Sequence, residues 1–159
     1  MTAKELITDY CSMLDILIKN GKAYYAFGLI CTGIEFLGKC LDDNQHDFFK
    51  GKPRDDFKRG FEMYFKTYVK ANNEINIYEN LRHGLMHSLL PKEPIWLNEN
   101  NDFIYKHLDI REIKGAKRLV INIREFLSDF KNACNDVQRK IDTELKSPKV
   151  RKDILVITT

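Results

Sequence analysis

The sequence predicts an all-α protein, an up-and-down helical bundle with a small β-hairpin inserted before the last long helix. Two observations support this fold class. Apolar residues recur at helical spacing along most of the chain, and that spacing is interrupted near residues 95–121. At 159 residues the chain fits one domain. We therefore expect a bundle over residues 1–145, with the β insertion at about 95–121, followed by a basic tail over residues 146–159.

The first two helices are defined by apolar spacing and by glycine. An amphipathic helix covers Leu6 to Ile18 and ends at Asn20-Gly21, and a second helix extends from about Ala23 to Leu41. The second helix contains several glycines, each of which costs about 1 kcal/mol relative to alanine in a helix interior. They are Gly28, Gly33 and Gly38. Glycine at these positions indicates a close approach between helices.

A polar segment over residues 42–53 precedes a shorter helix that combines cations with aromatic residues. Seven cations lie between Lys50 and Lys70, with five aromatic residues interleaved among them. We favour an amphipathic helix whose aromatic residues enter the core while the cations stay in water. The alternative is contact with single-stranded nucleic acid through phosphate pairing and base stacking. In that alternative, Lys58 and Arg59 are candidate RNA-binding residues.

The periodicity changes after the fourth helical segment. Residues 95–97 and 103–105 are expected to form a hairpin around a polar loop, and Arg118–Ile121 can add a third short strand. Asn122, with Glu125 three residues later, matches a capping box. It is expected to start the last long helix.

Composition and charge limit the function classes. The chain has 26 basic and 23 acidic residues, and the tail carries the net charge of +3, which leaves residues 1–145 neutral overall. This balance argues against binding duplex DNA by charge alone. No apolar run approaches the length of a membrane span, and the charged N-terminus does not match a signal peptide, so a cytoplasmic location without membrane contact is expected. The 4 cysteines form no C-x-x-C pair, and neither a metal nor a cofactor is expected.

The helix expected from about Asn73 to Leu89 carries the residues best suited to chemistry. Arg82, His83 and His87 occur within six residues of an otherwise apolar helix. His83 and His87 are about 40° apart around an ideal helix and can share a face, whereas Arg82 and His87 are about 140° apart.

Three chemistries are compatible with these residues. Histidines four positions apart suit zinc, although no glutamate between them completes an H-E-x-x-H motif. A second interpretation is structural, with arginine and histidine tied into core hydrogen bonds. A third is acid–base chemistry at phosphate, because imidazole titrates near neutral pH and guanidinium binds phosphoryl oxygens. Such a pair suits metal-free cleavage of RNA, in which the substrate's own 2′-hydroxyl attacks the neighbouring phosphate.

The segment from Arg82 to His87 fits the pattern R-x4-H with a polar residue directly after the arginine, on a late helix of a bundle. In this it resembles the HEPN superfamily (higher eukaryotes and prokaryotes nucleotide-binding). Residues 77–81 before the motif and Pro91 after it are similar to small bacterial HEPN-like proteins of unassigned role. The helix order extends the resemblance over most of the chain.

The resemblance implies a homodimer in which two motifs face each other across one cleft. Many members are metal-independent endoribonucleases of toxin–antitoxin, phage-defence or CRISPR-associated systems, and a toxin would have a cognate antitoxin as partner. By this resemblance Arg82 engages the scissile phosphate, His87 is the acid–base group, and His83 orients them or contacts RNA. Other members are inactive binding or scaffold domains, and this is the alternative function; nucleotide binding without turnover is a third.

Two further residues qualify the resemblance. Some HEPN toxins extend the motif to R-x4-H-x-Y, and Leu89 occupies the tyrosine position here, so their nucleotidyltransferase partner is not expected. Glu35, beside the apolar stripe of the second helix, could pair with Arg82 or a histidine as a supporting residue. A partly exposed surface glutamate is the interpretation that we favour.

Overall fold

A computed structural model describes residues 2–41, 52–99 and 104–143, and these residues are mostly helical. The helices are α1 (Ala3–Lys19), α2 (Ala23–Cys40), α3 (Pro53–Tyr64), α4 (Val69–Glu74), α5 (His83–Ser88) and α6 (Ile123–Thr143), with a 3₁₀ turn at Lys66–Tyr68 and a π-helical turn at Tyr78–Arg82. The strands are β1 (Ile95–Asn98), β2 (Ile110–Ile113) and β3 (Ala116–Asn122). The predominantly helical class is confirmed, whereas the predicted tail at 146–159 lies outside the described residues.

The first helix forms where the sequence predicts it. Thr2 and Glu5 make a capping box, in which the Glu5 amide donates to Thr2 Oγ1 at 3.2 Å and the Thr2 amide donates to Glu5 Oε2 at 2.6 Å. The chain leaves the helix through Gly21, whose φ of 69° suits glycine. The local sequence alone therefore sets both ends of α1.

The second helix is the centre of the fold and packs against α1, α3 and α6. A Cβ atom on Gly38 would overlap the carbonyl group of Asp56 on α3, and one on Gly33 would overlap the Phe130 ring on α6. A Cβ on Gly28 would make only an ordinary contact, 3.8 Å from Leu85 Cβ. The close helix approach expected from these glycines is therefore confirmed at Gly33 and Gly38.

The aromatic residues of α3 and the turn after it belong to the core. Phe57, Phe61, Phe65 and Tyr68 are each at most 4% exposed, and successive phenylalanine rings stack at centroid distances of 5.2 and 5.5 Å. Tyr64 is half-buried. The amphipathic interpretation of this segment is confirmed, because rings packed in the core cannot stack on bases.

The helix expected over residues 73–89 is broken. It is interrupted at Ile75, whose backbone is extended (φ −132°, ψ 95°). Asn72 Oδ1 accepts a hydrogen bond from the Ile77 amide at 2.9 Å, and Asn76 Oδ1 accepts one from the Glu79 amide at 3.1 Å. Asparagine side chains that bind nearby amides in this way end one helix and cap the next.

The predicted β-hairpin is wrong, because β1 pairs with β3 instead. The sheet has three strands in the order β1–β3–β2, with β1 parallel and β2 antiparallel to β3. The tight turn lies instead at Lys114-Gly115, where both residues have positive φ, the geometry that a two-residue connection requires. The third strand expected at Arg118–Ile121 is confirmed and is the central one.

The last helix follows β3 without a loop. It begins at Ile123, as the sequence predicts, but the side chain of Asn122 binds outside the helix. Asn98 Nδ2 donates to Asn122 Oδ1 at 2.9 Å, and Asn122 Nδ2 donates to the Tyr105 carbonyl at 3.1 Å. Asn122 thus joins β1, the chain before β2 and the start of α6.

Candidate functional site

The R-x4-H segment lies on a helix with one buried side. The π-helical turn Tyr78–Arg82 continues directly into α5. Leu81 and Leu85 are at most 5% exposed and fix this helix against the core. The opposite side faces solvent, so neighbouring residues of the motif have different surroundings.

The chain folds back closely at the end of α5. Leu89 adopts a left-handed conformation (φ 56°), and its carbonyl accepts a hydrogen bond from the Tyr24 hydroxyl on α2. A Cβ atom on Gly84, within the motif, would lie 2.7 Å from the Leu90 carbonyl oxygen. Glycine at this position therefore allows the returning chain to contact the motif helix.

Arg82 is bound by Glu35 of α2. Arg82 donates from Nε to Glu35 Oε1 and from Nη2 to Glu35 Oε2, the latter at 3.2 Å. Two parallel bonds of this kind fix the plane of the guanidinium as well as its position. Glu35 is only 8% exposed, so the favoured interpretation of it as a surface residue is wrong and its pairing with Arg82 is confirmed. The sequence could not show which stripe of α2 the motif helix covers.

The guanidinium of Arg82 remains charged and partly accessible. Burial acts to lower its pKa, but the hydrogen bonds and negative charge of Glu35 outweigh burial and raise the pKa. The guanidinium carbon lies 5.5 Å from the centre of the Tyr78 ring, a cation–π contact. Among the described residues, Arg82 Nη1 has no hydrogen-bond partner, which leaves one edge of the fork able to receive a ligand.

His83 and His87 contact each other on the outer side of α5. Their ring centroids are 4.2 Å apart with the planes inclined by 37°. His87 is exposed and His83 is half-buried. His83 Nδ1 lies 3.8 Å from Glu79 Oε1, and Lys92 binds the same carboxylate at 2.5 Å. The expectation that the two histidines share a face is confirmed.

Arg82 and His87 have different neighbours. Arg82 reaches inward to α2, whereas His87 contacts His83 at the surface. No hydrogen bond, ion pair or ring contact joins Arg82 to His87 within residues 2–41, 52–99 and 104–143. This arrangement agrees with the angle of about 140° between the two residues on an ideal helix. Within the described part of one chain, the two motif residues therefore do not contact each other.

Exposed apolar side chains flank His87 in the chain. Met86, Leu89 and Leu90, which we call the apolar rim, are 46%, 72% and 63% exposed. Thr32 Oγ1 lies 3.6 Å from Met86 Sδ, so the rim adjoins α2. Clustered exposed apolar residues often mark an interaction surface. The motif histidines therefore lie at the edge of such a surface.

The two candidate RNA-binding cations of α3 differ in their surroundings. Arg59 is part of the fold, since its Nη1 donates to the Gly38 carbonyl at 3.0 Å and to Asp56 Oδ1 at 3.1 Å. The side chain of Lys58 is 71% exposed. With Arg54 and Tyr78 it lines a groove of about 410 Å³, which also contains acidic and amide groups. Because Tyr78 also contacts Arg82, this groove leads towards the motif.

A second polar cluster, which no motif in the sequence predicts, lies where the sheet meets the helices. The Tyr68 hydroxyl donates to Asp129 Oδ2 at 2.8 Å and lies 2.7 Å from His107 Nε2. The backbone N–H of Asn122 donates to His107 Nδ1 at 3.0 Å. These groups come from the turn after α3, the chain before β2, the end of β3 and α6. No spacing in the sequence indicates this cluster, because its members belong to different elements that only the tertiary structure brings together.

The described residues contain neither a candidate metal cluster nor a candidate membrane span, and the chain matches no family model. Among the described residues, no group of three histidine, cysteine or acidic side chains could hold a metal ion. None of the helices described above combines the length and apolar character of a membrane span. Comparison with protein-family models, with curated proteins and with solved structures gives no match for this chain.

Proposed function

We propose that the protein is a metal-independent endoribonuclease that acts as a homodimer, with Arg82 and His87 of both copies lining one cleft. The proposal rests on the outer face of α5, where His87 is exposed and, among the described residues, has a ring contact with His83 and no hydrogen bond. An exposed imidazole that no hydrogen bond holds can accept or donate a proton, as general acid–base catalysis requires. The resemblance of the R-x4-H segment to the HEPN motif supports the same function.

Arg82 supports the proposal through its orientation. Glu35 holds Nε and Nη2, so the guanidinium cannot rotate freely, and Nη1 remains to bind a phosphoryl oxygen. A donor that is already oriented stabilises developing charge without reorganisation during the reaction. Glu35 is thus a positioning residue that acts through Arg82.

The apolar rim supports assembly with a second copy. Met86, Leu89 and Leu90 are exposed beside His87, and burial of such side chains between identical chains is typical of homodimers. A two-fold axis near the rim would bring both motifs together. In this assembly, an arginine of one copy and a histidine of the other both reach one phosphate.

The chemistry follows from these groups. The neutral His87 of one copy accepts the proton of the 2′-hydroxyl, whose oxygen attacks the adjacent phosphorus. The bond between phosphorus and the 5′-oxygen breaks, and the protonated His87 of the second copy donates a proton to that oxygen. Arg82 binds the phosphoryl oxygens as their charge increases. The products are a 2′,3′-cyclic phosphate and a 5′-hydroxyl.

Cleavage of a pool of labelled RNAs in EDTA tests the proposal. The comparison includes the unsubstituted chain, His87→Ala and, as a matched control, His46→Ala, which removes a histidine outside the motif. His87→Ala should lower the cleavage rate by about 100-fold or more. His46→Ala should retain the rate and leave 2′,3′-cyclic phosphate ends. Equal cleavage by all three proteins, or none by a dimer verified by sedimentation, would refute the nuclease.

A catalytically inactive binding or scaffold domain, for a protein or a nucleotide, is the second candidate. The Arg82–Glu35 pair favours it, since the two side chains are only 14% and 11% exposed and join α2 to the motif helix. Arg82→Lys distinguishes the two functions, because lysine keeps the charge but cannot form the same paired bonds. A nuclease should lose activity in this variant while a dimer remains. A scaffold should show no cleavage before or after the substitution.

A further inference from the structure

The first and last helices of the bundle run antiparallel in a constant register. Three side-chain pairs join them: Lys4 with Asp142 at 2.6 Å, Thr8 with Gln138 at 2.9 Å, and Asp15 with Lys131 at 2.5 Å. Each step forward along α1 is matched by an equal step backward along α6. Cys11 lies three residues beyond Thr8, and Cys134 lies four residues before Gln138. The register therefore places the two cysteines opposite each other.

The two cysteines differ in their exposure. Cys11 is half-buried, whereas Cys134 is 2% exposed. Interaction with Cys134, together with the nearby positive charge of Lys131, lowers the pKa of Cys11 despite partial burial. The more accessible sulfur is thus the one that ionises first, which is the arrangement of an attacking thiolate with a resolving thiol.

The interior side of this pair is not tightly packed. An apolar cavity of about 150 Å³ lies between α1, α2 and α6, and Cys134 forms part of its wall with Tyr10 and Phe130. This space leaves room for the Cys134 side chain to change rotamer, and we expect the pair to reach disulfide geometry by that change.

We propose that Cys11 and Cys134 form a redox modification site, at which a hydroperoxide generates a reversible disulfide between α1 and α6. The Cys11 thiolate attacks the outer oxygen of the hydroperoxide and the O–O bond breaks. Cys11 becomes a sulfenic acid, and the oxygen that leaves takes a proton to give an alcohol, or water when the oxidant is hydrogen peroxide. The Cys134 sulfur then attacks the Cys11 sulfur and loses its proton, and the S–O bond breaks with release of water. The two thiols are oxidised and the peroxide is reduced.

The other two cysteines provide internal comparisons. Cys31 and Cys40 are both 0% exposed. Burial raises the pKa of Cys31, and it raises the pKa of Cys40 to about 12, so neither forms a thiolate readily. Cys11 should therefore react before either of them.

The test treats the reduced full-length chain with hydrogen peroxide and maps its thiols by mass spectrometry. We expect the intact mass to fall by two hydrogen atoms, with a Cys11–Cys134 crosslinked peptide that dithiothreitol separates. The crosslink closes a long loop between the ends of the bundle, so the melting temperature should rise on the order of 10 °C. Cys31→Ala, the matched control, should crosslink like the unsubstituted chain.

Two variants keep the mechanism open to refutation. Cys11→Ser should abolish the crosslink, and Cys134→Ala should leave a sulfenic acid at Cys11 that dimedone traps. Trapping at Cys134 in the Cys11→Ser protein at an undiminished rate would reverse the assigned roles and contradict the proposal. A disulfide between Cys40 and Cys134, a disulfide only between chains, or a Cys11 thiol that stays reduced would also overturn it.

Discussion

Histidine occupies two contrasting regions of this molecule. In the junction between sheet and bundle, His107 uses both ring nitrogens: Nδ1 accepts from the Asn122 amide, and Nε2 donates to Tyr68, which donates to Asp129. On α5, His83 and His87 contact each other's rings and form no hydrogen bond to other described residues. The junction histidine is therefore held by the fold on both sides of its ring, whereas no hydrogen bond to a described residue holds the motif histidines.

The same distinction divides the motif itself. Arg82 is like His107 in that the fold holds its side chain, here through hydrogen bonds to Glu35. Its neighbours on the motif helix differ, since His83 is half-buried and His87 is exposed. Polar groups that the fold satisfies contribute to stability, and their removal leaves a buried partner without a hydrogen bond. Polar groups that it does not satisfy can be removed at little cost. Unfolding measurements can therefore test the comparison separately from activity.

The largest effect is expected at the Arg82–Glu35 pair. Glu35→Ala leaves the buried guanidinium without its carboxylate and should lower the free energy of unfolding by about 3 kcal/mol, measured by urea denaturation. The double variant Glu35→Leu/Arg82→Met should recover much of this loss, because it removes both charges. Glu79→Ala, which removes a half-exposed carboxylate from the π-helical turn that carries Arg82, serves as the control. Equal losses of stability for Glu35→Ala and Glu79→Ala would show that the fold does not depend on the Arg82–Glu35 pair. Arg82 would then belong with His83 and His87.

A smaller loss is expected at the junction. Tyr68→Phe keeps the buried ring but removes the hydroxyl that joins His107 to Asp129, and should lower the free energy of unfolding by about 1–2 kcal/mol. Tyr64→Phe is the matched control, since its hydroxyl accepts from Lys140 Nζ at 3.3 Å and interacts with Asp136 in a half-buried position. If Tyr68→Phe is no more destabilising than Tyr64→Phe, the junction network does not stabilise the fold.

Acid should weaken the junction moderately. Burial lowers the pKa of His107 in spite of the nearby acidic residues, so below about pH 6.5 the unfolded chain binds a proton more readily than the folded chain. This contribution to stability is complete above about pH 6.5 and decreases as the pH falls towards the folded pKa, by at most about 1.4 kcal/mol per pH unit. Urea denaturation of the unsubstituted chain and His107→Gln across this range measures it. A stability difference between the two that does not vary with pH would contradict the sign or the assignment.

The smallest effect on stability is expected at His83 and His87 on the outer face of α5. His83→Ala and His87→Ala should each change the free energy of unfolding by about 0.5 kcal/mol or less, because neither imidazole satisfies a buried group. Thermal and urea unfolding of both variants provide the measurement. A loss as large as that of Tyr68→Phe would mean that the histidine contact is structural, and would weaken the case for a catalytic His87.

Local sequence determined the elements whose signals lie within a few residues. The boundaries of α1 follow from its capping box and Gly21, and the aromatic helix entered the core because its rings recur at helical spacing. The pairing of His83 with His87 also follows from their separation by one helical turn. These features could be predicted because the cause and the effect are neighbours in the chain.

Tertiary structure decided the partners of those elements. The strand partner of β1 is β3, because residues 114–115 form the tight turn and leave the other edge of β3 open to a parallel strand. Glu35 is buried because the motif helix covers its side of α2.

The same division applies to the polar residues. The sequence by itself determined that Arg82, His83 and His87 share one helix, since helical geometry is local. Only the tertiary structure decided that Arg82 binds Glu35 and that Cys11 lies opposite Cys134, because the pairing of distant residues depends on how whole helices pack.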